Sequence, residues 1–135
     1  MISQAAKFEE PCENCGAPCT GWAVQLVQDG ELRWEEDRQC AGCQVASCDR
    51  GQGAPARIRD EILARHGAYR LTLTDGSVRG GVLLKAFRDA LGFSIGEAQE
   101  AARAMRESGY EGTYVEMTLV AGLLNLAPPV STRDR

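Results

Sequence analysis

Apolar and polar residues alternate along two neighbouring segments, Trp22–Leu26 and Leu32–Trp34, which flank an Asp29-Gly30 pair. Alternation with a period of two is the pattern of a half-buried β-strand, and Asp-Gly between two such segments is a strong hairpin signal. We therefore predict an antiparallel hairpin over Trp22 to Asp37.

The register of this hairpin is predicted from the requirement that apolar residues share a face. A three-residue loop, Gln28–Gly30, places Leu26 opposite Leu32. The same loop places Val24 opposite Trp34, whereas a two-residue loop mixes apolar with charged positions. In the three-residue register both tryptophans lie on one face, where they pack on the rest of the protein. An exposed patch that binds a partner is the alternative.

After the hairpin, apolar residues recur mainly at helical spacing, and glycines and capping residues mark where each helix begins and ends. In the last helix we expect Val115, Leu119, Leu123, Leu124 and Leu126 to face inward. The predicted elements are a helix from Pro55 to His66 closed by Gly67, a strand from Tyr69 to Thr74 that ends in the turn Asp75-Gly76-Ser77, a helix from Val82 to Leu91 closed by Gly92, a helix opened by Ser94 that runs to about Ser108, and a helix opened by Thr113 that ends before Pro128-Pro129.

These elements predict an α+β protein in which a Cys₄ zinc-ribbon hairpin precedes a small β-α-α-β-α domain. We assign the ribbon to residues 1–49, a linker and connecting helix to 50–68, the α/β domain to 69–127 and a loose tail to 128–135. Glycines at 51 and 53 mark the linker.

All six cysteines lie in the first 48 residues, as C-x₂-C-x₃-C and C-x₂-C-x₄-C groups on either side of the hairpin. The hairpin brings the two C-x-x-C pairs to the same end, where four thiolates can surround a tetrahedral Zn²⁺. Gly16 suits the tight turn that follows the first pair. We predict one structural Zn²⁺ per chain, held by Cys12, Cys15, Cys40 and Cys43.

Cys19 and Cys48 are left over from this count, and we expect them to be spare thiols. A two-zinc cluster with bridging thiolates, a Cys19–Cys48 disulfide and an iron–sulfur site are the alternatives. A thioredoxin-like role is disfavoured, because that chemistry places C-x-x-C at a helix N-terminus rather than beside a hairpin.

Charge divides the chain unevenly: residues 1–49 carry nine acidic and three basic side chains, and residues 50–135 carry ten and twelve. An acidic ribbon makes nucleic acid an unlikely partner. No signal peptide or membrane span is recognisable, and paired C-x-x-C motifs without a leader predict a cytoplasmic, metal-binding protein. Thirteen arginines against two lysines, with abundant alanine and glycine, suggest a GC-rich bacterial genome.

The segment from Leu84 to Gln99 reads LKAFRDALGFSIGEAQ. It resembles the helix–turn–helix of the C-terminal domain of the bacterial ribosomal stalk protein, where the pattern is I-K-x-V-R-x-x-T-G-L-x-L-x-E-A-K. The Clp protease adaptor, which shares the β-α-α-β-α shape, is a weaker likeness. The stalk family recruits translational GTPases through a basic face on these helices, so the resemblance implies a docking face at Lys85 and Arg88.

No nucleophile motif, phosphate loop or zinc-protease motif is present, so we expect no enzymatic activity. His66, the only histidine, is expected to be an ordinary residue at a helix C-terminus, with a metal or catalytic role as the alternative. The favoured function is an adaptor that binds a protein partner of unknown identity through Lys85, Arg88, Trp22 and Trp34. One alternative is a nucleic-acid- or ribosome-associated protein that uses Arg57, Arg59, Arg65 and Arg70. Another is a thiol-redox protein that uses Cys19 or Cys48.

Overall fold

Two antiparallel sheets and four helices make up the computed structural model, which describes residues 2–73, 76 and 78–133. The mixed α+β class is as predicted. The predicted turn Asp75-Gly76-Ser77 and the end of its strand at Thr74 fall largely outside the described residues. The elements in chain order are β1 (Ser3–Pro11), β2 (Pro18–Gln28), β3 (Glu31–Cys40), β4 (Ala46–Gln52), α1 (Ala56–His66), β5 (Tyr69–Leu71), α2 (Gly80–Leu91), α3 (Ile95–Glu107), β6 (Tyr110–Gly112), α4 (Tyr114–Leu124) and β7 (Val130–Ser131).

The predicted hairpin forms between β2 and β3, but in a different register. Gln28 pairs with Glu31, so the loop is the two-residue Asp29-Gly30 and Leu26 lies opposite Arg33. Both loop residues have positive φ, 54° and 77°, as a type I′ turn requires. The predicted three-residue loop is wrong because the turn conformation, rather than the matching of large apolar residues, sets the register.

The two tryptophans lie on opposite faces of this sheet, contrary to the prediction. Trp22 lies opposite Asp37 on the outer face, turned away from the helices, and is 45% exposed. Trp34 lies opposite Gln25 on the inner face, which packs on the helices. There it contacts a buried cluster formed by Ala6, Phe8, Ala23, Ile58 and Ile62.

The hairpin belongs to a four-stranded sheet in the order β1-β2-β3-β4, and the sequence pattern revealed neither outer strand. β1 pairs with β2 along its whole length, from Ser3 opposite Leu26 to Pro11 opposite Pro18. β4 includes residues 49–52, which the glycines indicated to be a linker. That assignment is wrong, because these residues continue a ladder with β3.

The second sheet has the order β6-β5-β7, so β5, which comes first in the chain, is the central strand. Val130 and Ser131 pair with Arg70 and Tyr69. The side chain of Arg133 donates to the carbonyl oxygens of Arg65 and Ala64 at the C-terminal end of α1, at 2.9 and 3.1 Å. Residues 130–133 are therefore ordered structure, and the predicted loose tail is wrong for them.

The helices begin and end close to their predicted positions. Ser94 and Thr113 form complete capping boxes with Glu97 and Glu116, and Gly92 closes α2 in the left-handed conformation. Phe87, Met105 and the other buried residues of α2, α3 and α4 form the main core, which Leu32 of the hairpin joins. Leu123 is exposed, contrary to prediction, because α4 ends one residue later and its other apolar residues already fill the core side.

The two sheets and the helices share one packed structure, whereas the division into domains at residues 49 and 69 stays a prediction. α1 lies against the inner face of β1 and β2, and α4 contacts the same sheet. None of the helices in the described part of the chain combines the length and apolar composition that crossing a bilayer requires.

Candidate metal centre and interaction surfaces

Two turns of the same construction present the four predicted metal ligands at one end of the first sheet. In the first turn the N–H of Cys12 donates to the carbonyl of Ala17, and the N–H of Gly16 donates to the carbonyl of Cys12, both at 2.8 Å. In the second turn Cys40 donates to Val45 at 2.9 Å and Gln44 donates to Cys40 at 3.1 Å. We call these segments, residues 12–17 and 40–45, the first and second knuckle.

The four sulfur atoms lie within 4.8 Å of one another, as the spacing of the two C-x-x-C pairs predicts. The Sγ atoms of Cys12 and Cys43 are 3.9 Å apart, and those of Cys15 and Cys40 are 3.4 Å apart. Four sulfurs at 2.3 Å from a tetrahedral Zn²⁺ are about 3.8 Å from one another. The arrangement therefore fits one metal ion with four thiolate ligands, and such closed sites are structural.

Backbone N–H groups favour the thiolate form at three of the four sulfurs. At Cys15 the N–H of Ala17 lowers the pKa, but the hydrogen bond with Cys40 and burial outweigh it and raise that pKa to about 11. At the other two sulfurs the N–H groups prevail. The N–H of Cys43 points at the Sγ of Cys40 from 3.5 Å and is the main cause that lowers the pKa of Cys40 to about 6. The N–H groups of Cys15 and Asn14 lower the pKa of Cys12 in the same way. Because a thiol must lose its proton to bind metal, these N–H groups assist metal uptake.

Neither leftover cysteine belongs to the four-sulfur group. Cys19 lies opposite Cys40 in the sheet and is only 2% exposed, and burial is the first cause that raises the pKa of its thiol to about 12. Cys48 is exposed on β4, on the far side of β3 from Cys19. All six cysteines are free, so the alternative of a Cys19–Cys48 disulfide is not present.

The two knuckles differ at one position, and this difference gives a testable prediction. Gly16 has φ of 75° in the first knuckle and Gln44 has φ of 59° in the second, so the left-handed conformation is occupied by glycine in only one. A Cβ at Gly16 would contact nothing within 4 Å, so only backbone strain opposes a substitution there. We expect Gly16→Ala to lower the free energy of unfolding of the metal-loaded protein by about 1 kcal/mol, measured by urea titration.

The converse substitution is its matched control. Gln44→Gly removes a side chain from the left-handed conformation, so the free energy of unfolding should stay unchanged or rise by up to about 1 kcal/mol. A loss of stability in Gln44→Gly as large as that in Gly16→Ala would contradict the proposed equivalence of the two knuckles.

The predicted docking residues Lys85 and Arg88 line a groove of about 700 Å³ beside the turn between α2 and α3. Lys85 forms an i,i+4 ion pair with Asp89 at 2.6 Å, and Arg88 donates to the carbonyl of Phe93 at 3.3 Å. Ile95, at the start of α3, is 57% exposed at the edge of the groove. Leu84 and Phe93 supply further apolar lining.

A buried polar cluster joins the first sheet to the helices, and sequence analysis did not find it. The carboxylate of Glu116, 2% exposed, accepts from Arg59 at 2.5 and 3.0 Å and from the side chain of Gln25 at 2.9 Å. It also accepts from the N–H of Thr113 at 3.0 Å, while the Thr113 hydroxyl donates to Gln25. Hydrogen bonding to Glu116 is the main cause that raises the pKa of Arg59. The capping box at Thr113 was visible in the sequence, but its partners on β2 and α1 were not.

The basic residues of the nucleic-acid alternative are mostly engaged with carboxylates. Arg57 pairs with Glu36, and Arg70 pairs with Glu111. Arg59 belongs to the buried polar cluster. Three of the four arginines named for this alternative are therefore paired with carboxylates, which reduces the positive charge that they present to a phosphate backbone.

His66 has a structural role in the first sheet. Its Nε2 donates to the carbonyl oxygen of Ala5 on β1 at 2.8 Å. The single histidine therefore links the C-terminal end of α1 to the edge of the sheet, and the four-sulfur group does not include it.

Comparison of the chain with protein-family models, with curated proteins and with solved structures found no match.

Proposed function

We propose that this chain is a non-enzymatic, zinc-containing adaptor that docks a protein partner in the groove between α2 and α3. The observation that carries the proposal is the groove itself, because it combines exposed apolar surface at Ile95 with Arg88 and with Lys85, which is paired with Asp89 of the same groove. Apolar patches with a polar rim are typical of protein-binding sites. A partner segment with apolar side chains flanked by carboxylates would fit it.

In this proposal the zinc is structural and takes no part in docking. The four cysteines lie at the end of the hairpin opposite Asp29-Gly30, whereas Leu32, beside that turn, joins the core of α2 and α4. About ten strand residues separate the two ends, which is roughly 30 Å. The metal therefore fixes the sheet on which α1 and α4 pack and does not reach the groove.

The resemblance to the C-terminal domain of the ribosomal stalk protein supports the same face. The order β5-α2-α3-β6-α4 agrees with the order that this resemblance implies, and Lys85 and Arg88 lie at its basic positions. Identity of the fold with the stalk domain is part of the proposal, as is a partner from translation or proteolysis.

We expect Lys85→Glu combined with Ile95→Asp to weaken partner binding at least tenfold, because the pair removes both the charge and the apolar contact. A photo-crosslinking amino acid placed at Leu84 of the full-length chain should give one dominant partner band in cells, and the double substitution should abolish it. Arg103→Glu is the matched charge reversal, on an exposed position of α3 that does not line the groove.

Metal content and thermal unfolding should be the same in the natural chain and both variants, because none of the three substituted positions belongs to the sulfur cluster. An equally strong band in the double variant and in the Arg103→Glu control would refute docking in this groove.

A further inference from the structure

The two edge strands of the four-stranded sheet differ in how far the rest of the protein covers them. The edge strand β1 is packed by α1, receives the hydrogen bond from His66 at Ala5 and ends at Pro11. β4, at the other edge, is exposed at every residue except Gly51, which is half-buried. In the described part of the chain, no strand other than β3 pairs with β4.

The backbone groups that β4 leaves free follow from the alternation of an antiparallel ladder. Gly53 donates to the carbonyl of Leu32, and Cys40 donates to that of Val45, both at 2.9 Å, so the odd-numbered residues of this strand face β3. The N–H of Arg50 instead donates to the side chain of Asp49 at 2.9 Å, as expected for an N–H that points away from β3 at the free edge. The outward N–H and carbonyl groups are those of Ala46, Cys48, Arg50 and Gln52. An added strand would have to replace the bond between the N–H of Arg50 and the carboxylate of Asp49.

We propose that β4 is a strand-addition site for an extended peptide segment of a partner protein, bound antiparallel, with an acidic residue opposite Arg50 and a basic residue opposite Asp49. Main-chain hydrogen bonds to the free edge supply affinity, and the charge pair fixes the register. Read from N- to C-terminus, the segment has the acidic residue directly before the basic one. This surface is separate from the groove at Lys85 and Arg88, and it does not depend on the docking proposed there.

Charge also explains why the occupant is not a second copy of the chain. Consider two copies that pair through their β4 strands and are related by a two-fold axis perpendicular to the sheet. Each residue and its counterpart in the other copy then lie at equal distances on opposite sides of the axis. Full overlap of residues 46–52 puts Asp49 opposite Asp49, in the pair whose Cα atoms are only about 4.5 Å apart. Of the two neighbouring registers, one puts Arg50 opposite Arg50, and the other puts Cys48 opposite Cys48 and pairs only residues 46–50 of each strand. Like charges directly opposite destabilise the first two registers, and the third leaves a ladder of only five residues, so this edge disfavours pairing with itself over its full length.

The test uses the full, metal-loaded chain and two capped hexapeptides that differ only in charge order. The first, Thr-Val-Glu-Lys-Val-Thr, places its glutamate opposite Arg50 and its lysine opposite Asp49, and the second exchanges these two residues. Titration followed by backbone amide NMR should shift the signals of residues 46–52. The first peptide should bind about tenfold more tightly, because two favourable pairs become two repulsive ones.

Two sets of variants separate strand addition from other binding. Cys48→Pro removes an outward N–H and should abolish binding, whereas Cys48→Ala keeps that N–H and should bind like the natural chain. The double variant Asp49→Lys with Arg50→Glu should prefer the second peptide, and it decides the question if Cys48→Pro fails to fold.

Equal affinity for both peptides, or signal changes confined to other strands, would overturn the proposal. So would a dimer in sedimentation velocity that Cys48→Pro disrupts and Cys48→Ala keeps, because the occupant would then be a second copy.

Discussion

Replacing Cys40 with serine should remove the metal and unfold the four-stranded sheet. Cys40 is the last residue of β3, and its sulfur lies 3.4 Å from that of Cys15, so it ties the two knuckles together. A structural zinc contributes about 10–16 kcal/mol of apparent binding free energy in small zinc-finger peptides. We therefore expect the loss of one ligand to cost at least about 3 kcal/mol of the free energy of unfolding.

Elemental analysis should find about one zinc per natural chain and almost none in Cys40→Ser, and urea unfolding should give the change in stability. Cys48→Ser is the matched control, because Cys48 is exposed and lies outside the sulfur cluster. It should keep both the metal and the stability. Full metal content in Cys40→Ser, or six reactive thiols in the natural protein as isolated, would rule out the four-thiolate site.

Replacing Glu116 with alanine should destabilise the protein by about 3–5 kcal/mol. The substitution removes the acceptor of four hydrogen bonds and leaves the half-buried guanidinium of Arg59 and the buried amide of Gln25 without their partner. Breaking a buried ion pair at one side leaves an uncompensated charge, and this costs more than the loss of the contact itself. Urea unfolding at neutral pH measures the difference.

The ion pair between Arg70 and Glu111 provides the comparison, because its side chains are 28% and 44% exposed. Glu111→Ala should cost no more than about 1 kcal/mol. Glu116→Leu combined with Arg59→Met should recover only the part of the loss that comes from the unpaired guanidinium, because the amide of Gln25 and the N–H of Thr113 still lack their acceptor. If Glu116→Ala and Glu111→Ala behave alike, the buried polar cluster does not stabilise the contact between sheet and helices.

Local signals predicted the parts of the structure that local interactions determine. The two C-x-x-C pairs meet because they flank one hairpin, and the capping residues Ser94 and Thr113 begin helices because their side chains satisfy nearby N–H groups. The ends of α1 and α2 at Gly67 and Gly92 follow from the same short-range chemistry.

The register and the outer strands depend on interactions that the local pattern does not contain. The inner face of β2 carries the small Ala23 and the polar Gln25, because helices pack close to it and Glu116 bonds to the amide. A search for large apolar residues therefore chose the wrong face. β4 has a glycine at residue 51 and no large apolar side chain, and it is held as a strand by its ladder with β3 beyond the second knuckle.

The buried polar cluster was beyond sequence reasoning for a different reason. Gln25 and Glu116 are 91 positions apart, and glutamine and glutamate are residue types that usually lie at the surface. Only the packing of α4 on β2 brings the two side chains together, and the hydrogen bond between them offsets the cost of burying them. The metal ligands, in contrast, are recognisable because two C-x-x-C pairs that flank a hairpin have few other uses.

The placement of β7 beside β5 has a consequence for the order in which a nascent chain acquires its structure. The strands of the four-stranded sheet are sequential neighbours, so all of them are present once residue 52 has been synthesised. β5 completes its pairing only when residues 130–133, the last described part of the chain, arrive beside Tyr69 and the end of α1.

During synthesis the strands of the first sheet are therefore complete before those of the second. A chain truncated after Pro129 should bind metal normally, yet its β5 amides should exchange with deuterium much faster than in the full chain, because the central strand has become an edge. Equal protection in both chains would show that β5 does not wait for the C-terminus. If the difference is found, β5 becomes protected only after residues 130–133 have joined it.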